Sequence, residues 1–315
     1  MSKSTVFTLC LALIWGSSFP ISQMGIEQVG AMPFRLLTIL ISTIILFAFT
    51  YNNLKVTLVN ISNVEYLKIV FLAIPNIFIV PLINNITLTY LPISTATFLI
   101  YIMPCFVSLL TMLDEKKFTY ISMMAVVLCL SGVLLLSGFK NFNFSEYLMI
   151  FNAFIWALGA ILSKKIVLNS CPISIRVTIQ MTVTFILTLL VTFIWWTLDK
   201  SIFDSFKLDR IFSYTALLPV LYIGTIGSAL VYYFWFKLID MNNAEFTSYA
   251  MLLSPVISIV LAVTIFNEEL DSYMLIGGIL ILSSSCIVLL RPLIFKVLGI
   301  NTLSNNHGED SSTSK

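Results

Sequence analysis

Charge is what this chain has least of. Only 10% of its 315 residues are charged, while 59% are hydrophobic, and the mean hydropathy is +1.01. A soluble domain carries charge on roughly a quarter of its residues, so a water-facing globular fold is excluded. Histidine is nearly missing: His307, in the polar tail, is the only one. No membrane-embedded histidine is therefore available as base, metal ligand or proton relay. The cysteines Cys10, Cys105, Cys129, Cys171 and Cys286 form no Cys-x-x-Cys pair, and four sit inside apolar runs as small hydrophobes. No aspartate or glutamate stands at an obvious mid-segment position; Asp114, Asp240 and Asp271 all fall at segment ends. The serine, aspartyl and metal-dependent kinds of intramembrane enzyme all lack their residues, so no catalytic residue, metal or cofactor is expected. A net charge of +2 gives no reason to expect nucleic acid. Proton coupling of any movement across the membrane would fall to acids nearer the surface, such as Glu27, Asp240 or Glu245, with uncoupled exchange as the alternative.

What the chain has in abundance is long apolar runs. A spanning helix needs about 20 mostly apolar residues, and barrel strands would alternate instead. The runs fall at 5–26, 34–51, 67–89, 94–113, 119–138, 146–166, 174–197, 212–237, 246–266 and 272–294. They predict an all-α membrane protein of ten transmembrane helices. Asn52, Asn53 and Lys55 follow the second run, and Asp114, Glu115, Lys116 and Lys117 follow the fourth. The most polar loop, Asp199 to Arg210, divides the seventh from the eighth, and the Ser/Asn-rich stretch 299–315 reads as a disordered tail. Lys3 before an apolar run resembles a signal peptide, but that run is too long and its end reappears later in the chain. A cytoplasmic N-terminus puts most Lys and Arg inside, among them Lys55, Lys116, Lys117, Lys164, Lys165 and Arg291. Both termini are therefore predicted to be cytoplasmic. The predicted location is the plasma membrane, or the inner membrane of a Gram-negative cell.

The chain also repeats itself. Trp15 and Arg35 have the same spacing as Trp156 and Arg176, with Ser22 matching Ser163 between them. Further on, Pro104 matches Pro255, the acidic pair Asp114-Glu115 matches Glu268-Glu269 across a small gap, and Gly132 matches the run Ser283–Ser285. Runs one to five thus resemble runs six to ten, which predicts repeats at 5–138 and 146–294. An odd number of helices per half turns the second half over in the membrane, a common plan for secondary transporters.

The residues Leu13-Ile14-Trp15-Gly16-Ser17-Ser18-Phe19, then Pro33-Phe34-Arg35, resemble the opening of an EamA-type repeat of the drug/metabolite transporter superfamily. Ser254-Pro255-Val256, Asn267-Glu268-Glu269-Leu270 and Ile276-Gly277-Gly278 resemble the end of its second repeat. The resemblance spans roughly residues 8–290. It implies two inverted five-helix repeats, a central cavity between them and alternating access to small metabolites. It does not fix the substrate. The Gly-Glu usual at the end of the fourth helix is Asp-Glu in one half and Asn-Glu in the other.

Several residues are candidates for the cavity. Trp15 and Trp156 can form an aromatic wall that stacks on a planar or cationic solute, or simply pack between helices. Ser18 offers a hydroxyl beside Gly16, or only a close helix approach. Asn84 and Asn85 need partners inside lipid, and Asn76 lies about two turns earlier. Tyr101, Tyr232 and Tyr249 complete the set; Trp235, close to Lys237, reads equally as an interfacial anchor. Pro104 and Pro255 are hinge candidates, each removing a helical hydrogen bond. Arg35 and Arg176 are expected to pair with carbonyls or headgroups at the interface, a gate or anion-attracting role being the alternative. The expected function is carriage of a small metabolite or amphipathic compound, with translocation of a lipid or lipid-linked intermediate as the first alternative and an intramembrane enzyme as the last. The expected partners are a small-molecule substrate and the lipid bilayer, with the protein a monomer or homodimer.

Overall fold

The computed structural model describes residues 3–116, 119–138, 141–166, 168, 171–200, 208–240 and 244–290. The predicted tail at 299–315 and the side chains of Asp240, Glu245 and Tyr249 lie outside the described residues. The described residues are helical with no strand. The apolar helices of the first half are α1 (Lys3–Val29), α2 (Ala31–Asn60), α3 (Asn63–Thr87), α4 (Ile93–Asp114) and α5 (Tyr120–Leu136). Those of the second are α6 (Phe144–Lys165), α7 (Ile173–Leu198), α8 (Tyr214–Lys237), α9 (Ala244–Phe266) and α10 (Ser272–Leu289). Among the described residues eight are long and apolar enough to cross a membrane; α5 and the Met251–Phe266 part of α9 are apolar but shorter. Large apolar side chains stand outward, Phe49 at 84% exposure and Leu198 at 83%. In water such a surface would aggregate; in lipid it is the solvated face.

One predicted boundary is corrected. The second run was expected to stop at residue 51, yet α2 continues to Asn60. Asn52, Asn53 and Lys55 all lie on its exposed side, so these polar residues mark where the helix leaves the apolar medium, not where it ends.

The packing respects the division into halves. Helix α1 packs on α9 and α8, and its counterpart α6 packs on α4 and α3. Helix α2 pairs with its own counterpart α7, and α5 with α10. At the α5–α10 crossing the backbones touch: a Cβ on Gly277 would lie 2.7 Å from the Gly132 carbonyl oxygen, so only glycine fits. Helix α2 meets α7 through the Thr50 and Thr178 hydroxyls, 3.1 Å apart. It meets α8 where the Ser42 hydroxyl donates to the Gly224 carbonyl at 2.6 Å.

The backbone also fixes the register of the repeat. Both third helices contain a wider π-helical stretch, Ile74–Ile79 in α3 and Thr225–Leu230 in α8, an offset of 151 residues. Pro104 and Pro255 share that offset, as do the two left-handed residues that end α4 and α9, Lys116 (φ 53°) and Asn267 (φ 52°). Trp15/Trp156 and Arg35/Arg176 differ by 141, so the second half gains ten residues between its second and third helices. This corrects the match of Asp114-Glu115 to Glu268-Glu269. With the left-handed residues aligned, Glu268 corresponds to Lys117. The acidic pairs resemble each other in composition but not in place.

The two prolines also differ. Helix α4 is broken: Ile93–Ile100 stops, Tyr101 and Ile102 turn, and Met103–Glu115 resumes with Pro104 in its first turn. The Tyr101 carbonyl at the break accepts the Ser285 hydroxyl of α10 at 2.8 Å. Pro255 sits inside an uninterrupted α9.

The start of α4 is held from the other half. Pro92 is its N-cap and makes no side-chain cap bond. The Glu268 carboxylate supplies one instead, accepting from the Ile93 amide at 2.5 Å and the Ser94 amide at 2.9 Å. A carboxylate on helix N-terminal amides is favoured by both hydrogen bonding and the helix dipole. Glu268→Gln, which keeps the shape but loses the charge, is expected to cost about 1–2 kcal/mol. That appears as a lower thermal midpoint of the purified protein, with Glu269→Gln as the control that leaves it unchanged.

Candidate functional site

The halves line a cavity of about 120 Å³, room for about four waters at about 30 Å³ each. Its wall comes from both repeats. Trp15, Ser18 and Ser22 come from α1, Arg35 and Thr38 from α2, and Asn76, Asn84 and Asn85 from α3; Thr97 and Tyr101 lie on α4. The second repeat adds Trp156 from α6, Ser228, Tyr232 and Trp235 from α8, and Ser258 from α9.

One side is aromatic. The Trp15 and Trp156 rings meet edge to face with centroids 6.0 Å apart, so the repeat-related pair is in direct contact across the two halves. Tyr101 stands edge-on to Trp156 at 6.4 Å, and Trp235 lies 5.0 Å from Trp15. The result is a continuous row, Tyr101–Trp156–Trp15–Trp235, that can take a flat apolar body against it.

The other side is polar, and two of its residues are held by the π-helical stretch in α3. A wide turn loosens the regular i+4 ladder and leaves carbonyls in need of donors. Two cavity side chains supply them: Arg35 Nη2 donates to the Ile77 carbonyl at 2.6 Å, and the Tyr232 hydroxyl to the Asn76 carbonyl at 3.1 Å. The Asn76 amide donates to the Leu72 carbonyl of its own helix (3.0 Å) and, across to α6, to the Ser163 hydroxyl (3.1 Å) and the Gly159 carbonyl (3.4 Å). Asn84 is fixed by Asn152 of α6, whose amide donates to the Asn84 Oδ1 at 2.8 Å and to the Val80 carbonyl at 3.0 Å. The Ser18 hydroxyl donates to the Ile14 carbonyl at 2.6 Å, leaving its lone pairs to the cavity.

A larger and shallower hollow of about 470 Å³ lies between α2, α7 and α8, lined by Leu46, Phe49, Thr50 and Leu230 among others. It holds no charged side chain and none of the predicted site residues.

A two-repeat helical bundle of this kind has known relatives. The EamA-like transporter family matches residues 2–138 and again 143–290. The chain belongs to this family. An uncharacterized transporter of Archaeoglobus fulgidus is 24% identical over 288 residues, covering 89% of this chain and 94% of the relative. A solved crystal structure superposes with a TM-score of 0.63 at 17% identity, covering 95% of this chain and 99% of that one, and supports the fold alone. The protein is thus a multi-pass membrane transporter, and its family points away from an enzyme.

Within this EamA-like bundle, the predicted residues Trp15, Ser18, Asn84, Asn85, Tyr101, Trp156 and Tyr232 all line the one cavity. Asn84 and Asn85 both reach it although they are neighbours in sequence. Trp235, which the sequence leaves open to a pocket role or an interfacial anchor, closes the aromatic row. The arginines part company. Arg176 donates to the carbonyls of Leu168 and Cys171 at its own helix entrance (3.3 and 3.4 Å), as the interfacial reading expects. Arg35 pairs with a carbonyl too, but that carbonyl is inside the bundle. The sequence reading missed Thr38, Ser228, Ser258 and Asn152; a lone Asn inside an apolar run was the available signal for the last. Asn152→Ala is expected to lower stability by about 1 kcal/mol, read as a reduced thermal midpoint, because two acceptors then lose their donor.

Proposed function

We propose that this protein carries a small solute through the membrane by alternating access, binding it in the central cavity between the two repeats. The observation that carries this reading is that the cavity wall is shared by both halves, with the repeat-related Trp15 and Trp156 meeting on it. In this reading the chain makes ten spans as two inverted five-helix repeats, at 5–138 and 146–294. Both termini are cytoplasmic, and the protein works in the plasma membrane as a monomer or homodimer. Exchange of equivalent packings, α1 on α9 against α6 on α4, gives two arrangements of similar energy that open to opposite sides. The solute gains affinity from stacking on the aromatic row and from a few hydroxyl and amide bonds in an otherwise apolar pocket. Pro104 and Pro255 serve as hinge points; the break before Pro104 supports the first.

The test is uptake and efflux by the purified protein in lipid vesicles across a panel of metabolites. At least one compact solute is expected to show saturable flux. Trp15→Ala and Trp156→Ala are each expected to weaken its half-saturation by about three- to tenfold, the loss of one aromatic contact, while the protein still reaches the membrane. Absence of flux for every solute, or unchanged transport in both variants, overturns the reading.

A further inference from the structure

Arg35 is 3% exposed and lines the cavity. Its guanidinium keeps its charge at neutral pH and carries five donors. One is used on the Ile77 carbonyl, and Nε has no hydrogen-bond partner. A carbonyl is an acceptor but not a counter-charge. No carboxylate stands among the described lining residues, and the Lys165–Asp114 ion pair is elsewhere and exposed. A buried cation left in this state is costly, and the cost falls when an anion arrives.

We propose that Arg35 is the specificity residue of the cavity and that the transported solute is a compact carboxylate with a flat apolar body. This rests on the transport reading of the same cavity and names its substrate class. The carboxylate accepts from guanidinium N–H groups not used on the Ile77 carbonyl, while the body lies along Trp15, Trp156 and Trp235. A planar two-oxygen acceptor matches the guanidinium fork. A phosphate dianion is disfavoured because the described wall offers no second cation. The repeat partner Arg176 is placed differently: its Nη2 donates to the carbonyls of Leu168 and Cys171 at its own helix entrance.

The experiment measures thermal stabilisation and binding of the full chain in detergent with matched pairs: phenylacetate and phenylacetamide, indole-3-acetate and indole-3-acetamide, with phenyl phosphate as the dianion arm. The carboxylates are expected to bind at least about tenfold more tightly than their amides, the range of one charge-assisted hydrogen bond. Arg35→Gln is expected to abolish that preference and Arg35→Lys to keep part of it. Amides that bind as well as the acids, a preference that survives Arg35→Gln, or preferential binding of phenyl phosphate overturns the proposal. The wild-type comparison decides even if Arg35→Gln fails to fold. Amides that bind equally well and depend on Trp15 leave the cavity reading standing and remove only the role of Arg35; no binding in any arm, with no flux across the wider panel, removes both.

Discussion

Every backbone donor and acceptor within the membrane-spanning helices must be satisfied without help from the surrounding medium. In lipid, regular helix is the simple answer, and any departure from it needs a side chain to complete the hydrogen bonding. The described departures cluster. The π-helical stretch of α3 has its Ile77 and Asn76 carbonyls taken by Arg35 and Tyr232. The Gly224 carbonyl beside the stretch of α8 accepts from Ser42, and the break in α4 is met by Ser285. Part of the polar wall of the cavity follows from this constraint: Arg35 and Tyr232, which complete the hydrogen bonding of α3, also line the cavity.

The same constraint separates scaffold from working parts. Helices α5 and α10 are regular, packed glycine to backbone at Gly132 and Gly277, and contribute nothing to the cavity wall. The irregular helices α3, α4 and α8 surround the cavity.

Much of this was legible in the sequence because lipid makes the code simple. Apolar run length gave the helices, and large or polar residues far from a run's end gave the cavity: Trp15, Trp156, Asn84 and Tyr101 cannot be placed cheaply against lipid. Three things were hidden. The π-helical stretches have no composition of their own, since Ile74–Ile79 reads as ordinary apolar helix apart from Pro75 and Asn76. The depth of Arg35 was hidden because four residues from a helix start looks interfacial; only its position beside α3 shows that it is enclosed. The register of the second half was hidden because acidic pairs attract the eye more than a left-handed backbone, and Lys116 and Asn267 share geometry without sharing chemistry.

The step in offset from 141 to 151 residues has a consequence for how such a chain can change over time. After a duplication, insertions are tolerated wherever added backbone meets water and rejected wherever it meets lipid. All ten extra residues fall between Arg176 and Thr225, a span that contains the polar loop from Asp199 to Arg210. From Thr225 to Asn267 the second copy has kept step with the first, residue for residue. The history of length change is thus a ruler laid along the chain, and it marks the stretch where the two copies have been held to one length by the medium around them.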